Sequence, residues 1–146
     1  MARDRGEFRP GRQILIYPAL DSRHSGDSPY PSVRENGTGY LLTAKRVRDY
    51  MALYRSSDED LTNPYFAPLR ASSLANQPDT LLITAEYCPL RDEGEAYGRR
   101  LREEGGFVEI HRLPDALHGY FSLPVRFSLV KQTYWIMNRF LERRHE

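Results

Sequence analysis

Two short runs hold the residues with a chemistry of their own. His118 lies in Asp115-Ala116-Leu117-His118-Gly119-Tyr120, a glycine-containing turn after a stretch that alternates apolar and charged residues. An imidazole titrates near neutrality, and the carboxyl ends of strands are where open sheets gather ligands and catalytic groups. The same residue also reads as a surface histidine in a glycine turn, and the residues alone leave both readings open. The second run, Glu86-Tyr87-Cys88-Pro89-Leu90-Arg91-Asp92-Glu93-Gly94, follows an earlier apolar stretch. An acid in that turn, Glu86 or Asp92, would orient an imidazole, fix its tautomer and stabilise its charged form. The alternative for Asp92, Glu93 and Glu95 is to complement the positive end of the helix that begins there. Cys88 paired with His118 as a thiolate nucleophile is a further reading. Pro89 counts against it, because it has no N–H to offer an oxyanion.

Those turns must be delivered by a sheet. Gln13–Tyr17, Thr80–Glu86 and Phe107–Leu113 read as strands, the first two apolar on successive positions, as in a parallel sheet covered on both faces, and the third alternating like an edge. Pro18 ends the first. Helical spacing is expected over 43–55, with Thr43 as N-cap and Ala44, Val47, Met51 and Tyr54 as one buried stripe. A second helix, 91–104, has Asp92 and Glu93 early, Arg99, Arg100 and Arg102 late, and Leu90, Gly94, Tyr97 and Leu101 inward. A third, 126–142, places Phe127, Val130, Tyr134, Met137 and Leu141 on one side. Strands alternating with helices make the class α/β with three mainly parallel strands, read as a single segment over 1–146. The connections from Ala19 to Leu42 and from Ser56 to Asp79 are long, as site-bearing loops are. Three strands are few for two covered faces, so the first strand calls for a neighbour that these residues do not supply.

Composition closes off several functions. With 21 Lys+Arg against 20 Asp+Glu the net charge is +1, which gives no field for nucleic acid. His24, His111, His118 and His145 are dispersed and there is one cysteine, so no metal site, disulfide framework or cofactor is expected. No apolar run is long enough to cross a bilayer. The opening MARDRGEFRPGRQ lacks an apolar leader, and the expected location is cytoplasmic. Ser22, Ser25, Ser28, Ser72 and Ser73 stand outside any glycine-flanked elbow and do not read as nucleophiles.

Taken in order, the motifs QILIYP at 13–18, ENGTGYLLT at 35–43, Asn63-Pro64, Ala67-Pro68-Leu69, TAEYCPLRDEG at 84–94 and His118-Gly119-Tyr120 resemble the C-terminal half of α/β-hydrolases of the hormone-sensitive-lipase esterase family. The resemblance implies a partial α/β-hydrolase fold lacking the N-terminal half of the sheet, the three strands being its sixth to eighth, and Met1 to Glu7 as the end of a helix. It implies a serine esterase in which His118 is the base and the acid position falls on Cys88, with Asp92 and Glu86 as substitute acids. Tyr40, Leu41, Leu42 and Tyr120 are expected near the substrate. There is no G-x-S-x-G and no HGGG in the sequence, so the nucleophile and oxyanion donors have no candidate. The chain alone is therefore expected to be inactive. Completed by a Ser-bearing half, it would take a small hydrophobic ester. The alternative is a non-catalytic remnant, associating with itself or with a complementary chain.

Overall fold

The structure is a computed structural model and describes residues 4–143. The run Leu81-Leu82-Ile83-Thr84-Ala85 has no polar side to turn to water, so it is stable only between two layers. It is fully buried at the centre of β2 (Asp79–Tyr87). β1 (Arg12–Ile16) and β3 (Val108–Leu117) lie on either side of it, both parallel, in the order β1-β2-β3. Strand alternation sends Leu81, Ile83 and Ala85 to one face. There they meet Val47 of α2 (Ala44–Tyr54) and Val130, Ile136 and Phe140 of α4 (Ser128–Glu142). Leu82 faces the other way, against Tyr97 and Leu101 of α3 (Arg91–Glu103). At Gly98 an added Cβ would lie 2.7 Å from Ile110 Cδ1, so this glycine sets how closely α3 approaches β3.

Several expectations need correction. β3 continues through Pro114 to Leu117 rather than ending at 113; residues 114–116 have no register partner, so the missing proline N–H costs no ladder bond. In α2 only Val47 of the expected stripe is buried, and Tyr54 is 79% exposed at the rim of a cleft. The inward side of α4 is Val130, Thr133, Ile136 and Phe140, while Phe127, Tyr134 and Leu141 are exposed. Thr133 is tolerated inside because its hydroxyl donates to Leu129 O and bonds Tyr120 Oη at 2.7 Å. Asp4 to Glu7 form a turn and bend instead of a helix end, and Met1 to Arg3 lie outside the described residues. β1 is half-exposed along its whole length.

The first long connection is not a loose loop. It carries the short helix α1 (Pro31–Glu35) and a buried polar strap. Glu93, fully buried in the first turn of α3, accepts from Leu20 N–H at 2.6 Å, Asp21 N–H at 3.2 Å and His24 Nε2 at 2.5 Å. Asp21 is equally buried. Burial works to raise its pKa, but hydrogen bonds from Arg23, Tyr30 and the Ser22 N–H hold it down to about 2. Among the described residues no helix is long and apolar enough to cross a membrane.

Candidate active site

Each strand delivers one side chain of the site from its carboxyl end. Tyr17 follows β1, Cys88 follows β2 and His118 follows β3. Tyr87 and Leu117 are register partners, so the next residues emerge side by side, and Cys88 Sγ lies 3.3 Å from His118 Nδ1. Gly119, at φ 87°, turns the chain immediately after the imidazole in a conformation that side chains rarely adopt. Tyr17 itself sits at φ 38°, a strained backbone for a bulky residue, and its ring lies tilted against His118 at 4.5 Å between centroids.

Electrostatics makes this pair a quiet one. Burial pushes the Cys88 thiol up to about 12, so it remains a neutral S–H, and the Leu90 N–H donates to its sulfur at 3.4 Å. A thiolate nucleophile is thereby disfavoured. A thiol can donate to Nδ1, whereas a carboxylate is acceptor-only. Cys88 thus favours the imidazole tautomer with its proton on Nε2, the nitrogen that a base directed away from residue 88 needs free.

Burial also lowers the His118 pKa below its ordinary value of 6.5. Below pH 6.5 the unfolded chain then binds a proton that the folded chain resists. Stability is full above that pH and falls as the medium is acidified through the window between the unfolded and folded values. Denaturant midpoints from pH 8 to 5 should show this loss, and His118→Gln should flatten the slope. An unchanged slope would remove His118 from the account.

The imidazole opens onto a cleft of about 330 Å³ with a mainly apolar wall, formed chiefly by Tyr17, Leu42, Val47, Met51, Tyr54 and Phe66. Tyr54 and Phe66 stack at 5.4 Å. Of the residues expected near a substrate, only Leu42 lines this cleft. Tyr40 stacks on Tyr87 at 5.1 Å, Leu41 is exposed beside Gly119, and Tyr120 is buried with its hydroxyl on Thr133. The carboxylates of Glu86 and Asp92 are engaged by other partners. Glu86 Oε2 accepts from the Asp115 N–H at 2.7 Å. Asp92 accepts from the Ser32 N–H at 2.7 Å and from Arg91 Nε at 2.8 Å. Burial works to raise the Asp92 pKa, but the Arg91 and Ser32 bonds leave it below the usual range. Sequence reasoning missed Tyr17 and Tyr50 as wall residues; the signal for Tyr17 was its place between an apolar strand and Pro18. Among the described residues no group of three or more His, Cys, Asp or Glu side chains is placed to hold a metal ion.

A parallel sheet with these carboxyl-end turns is the frame of a known fold. A family model described as the alpha/beta hydrolase fold matches residues 1–122. The chain belongs to the alpha/beta-hydrolase family. Among its relatives, an ethyl acetate hydrolase of Pseudomonas putida is 32% identical over 123 residues, covering 84% of this chain and 37% of that protein. A solved esterase of the fungus Rhizomucor miehei superposes with a TM-score of 0.87 at 31% identity, covering 96% of this chain and 44% of that one. An ester-hydrolase from the metagenome of Lake Arreo gives 0.79 at 36% identity, covering 97% and 45%. The relatives are esterases, in keeping with the hormone-sensitive-lipase resemblance, and this chain spans less than half the length of each of these three.

Proposed function

We propose that this chain is the histidine-bearing part of a carboxylic-ester hydrolase. His118 is the general base, Cys88 occupies the position of the orienting acid, and the serine nucleophile and oxyanion donors come from a segment outside these residues. The observation that carries the reading is the 3.3 Å pairing of Cys88 with His118 at the mouth of an apolar cleft. That wall suits the hydrocarbon part of a small ester, with Leu42, Met51, Tyr54 and Phe66 as its contacts. The chain alone is inactive in this reading, and the neutral thiol leaves even the completed site weak.

The test is complementation. The chain is mixed with the Ser-bearing N-terminal half of a related esterase, and hydrolysis of a short-chain aryl ester is followed. A rate above that of either half alone, abolished by His118→Ala, is expected. A formed complex with no added rate, or one indifferent to His118→Ala, counts against the proposal.

Two features favour a second reading, a non-catalytic self-associating module. β1 is a half-exposed edge strand, and Tyr50, Leu53 and Tyr54 of α2 are more than half exposed. That reading requires a homo-oligomer or a complementary partner chain, and a stable monomer in sedimentation at micromolar concentration would remove it. The single free thiol of Cys88 suits a reducing, cytoplasmic setting.

A further inference from the structure

We infer that Glu86 is the positioning residue for His118, acting through the backbone of Asp115. The inference about the sheet stands on its own, while its consequence for turnover rests on the hydrolase reading. Between the pairs Ala85 with Leu113 and Tyr87 with Leu117, β2 advances by two residues and β3 by four. In an unbroken ladder residue 88 would stand opposite Ala116. The detour through 114–116 moves His118 into that place instead.

Such a detour is not free. Asp115 is held at φ 60°, a left-handed conformation uncommon for a residue with a side chain. Its N–H has left the ladder and needs another acceptor. Glu86 supplies it: Oε2 accepts the Asp115 N–H at 2.7 Å, a charge-assisted bond across the two strands. Glu86 is fixed in turn. Its carbonyl accepts from Asn36 Nδ2 at 3.0 Å and from Arg91 Nη1 at 3.2 Å, and the same Asn36 nitrogen reaches Cys88 O at 3.3 Å. One residue therefore ties the turn that presents Cys88 to the detour that presents His118. The carboxylate holds the peptide that aims the imidazole, rather than the imidazole itself.

The experiment uses the whole chain labelled with nitrogen-15, with Glu86→Ala and Glu86→Gln as variants. In the wild type the Asp115 amide should exchange slowly although residue 115 is exposed. Glu86→Ala should speed that exchange by about tenfold to a hundredfold, the worth of a hydrogen bond to a charged group. It should also shift the His118 ring-nitrogen signals while leaving the amides of 108–113 protected. Glu86→Gln keeps a carbonyl acceptor and should restore most of both effects. In the complemented hydrolase, Glu86→Ala should lower kcat with KM little changed. Fast Asp115 exchange in the wild type overturns the inference whatever the variants do. So does a Glu86→Ala chain with unchanged exchange at 115 and unchanged His118 signals. Response of both signals without any complemented activity keeps the positioning role and fails the hydrolase reading instead.

Discussion

Cys88→Asp should raise the turnover of the complemented hydrolase by about four orders of magnitude, the loss that accompanies removal of an orienting carboxylate in a serine protease. The two side chains are close in size, and the fully buried site already offers one donor, the Leu90 N–H, and a second nitrogen, His118 Nδ1, that takes up a proton when the tautomer changes. A carboxylate would accept Nδ1–H, leave Nε2 free as a base and compensate the imidazolium. The first check needs no partner segment. In the variant the His118 titration, followed by NMR on the chain itself, should move up from the depressed position that burial gives the wild type. Should the folded value rise above 6.5, the stability dependence changes sign: the contribution is present below 6.5 and lost as pH rises through the folded value. If neither the titration nor the rate moves, residue 88 does not face the base in the way the 3.3 Å contact implies.

Glu93→Ala has the largest expected effect on stability, a loss of about 3–5 kcal/mol. Glu93 is fully buried and is the shared acceptor of Leu20 N–H, Asp21 N–H and His24 Nε2. Its removal leaves those buried donors without their acceptor. Among the described residues His24 Nδ1 is already a buried nitrogen with no hydrogen-bond partner, so the imidazole would lose the contact that Glu93 now provides. A loss of that size is a large share of the stability of an ordinary domain. Urea unfolding should show a much lower midpoint, with Glu93→Gln in between because its amide oxygen can still accept. A midpoint near that of the wild type would mean that the 20–24 segment is not held by α3.

The contrast between these residues explains which features are legible in the sequence. Leu81 to Ala85 announced a two-sided strand because an unbroken apolar run has few other stable placements. His118 and Cys88 were legible as neighbours for a related reason: turns that follow adjacent parallel strands share one edge of the sheet. The strap of Asp21, His24, Tyr30 and Glu93 was not legible, since its sequence looks like a solvated loop and its closing bond joins residues 69 positions apart. The detour at 114–116 was hidden likewise. The alternating run ends at Leu113, and nothing local shows that a carboxylate on another strand will accept the N–H of Asp115. Helical spacing groups Tyr54 with the buried stripe because it fixes a shared face without saying whether protein or an open cleft covers it.

Cys88 has a use beyond any reaction it takes part in. It is the chain's single sulfhydryl, fully enclosed beside the central strand, and its ionisation is displaced to about 12. An alkylating reagent in neutral buffer can therefore modify it appreciably only during excursions that unlock the carboxyl edge of the sheet. The rate of iodoacetamide incorporation becomes a native clock for those excursions, built in without any engineered label.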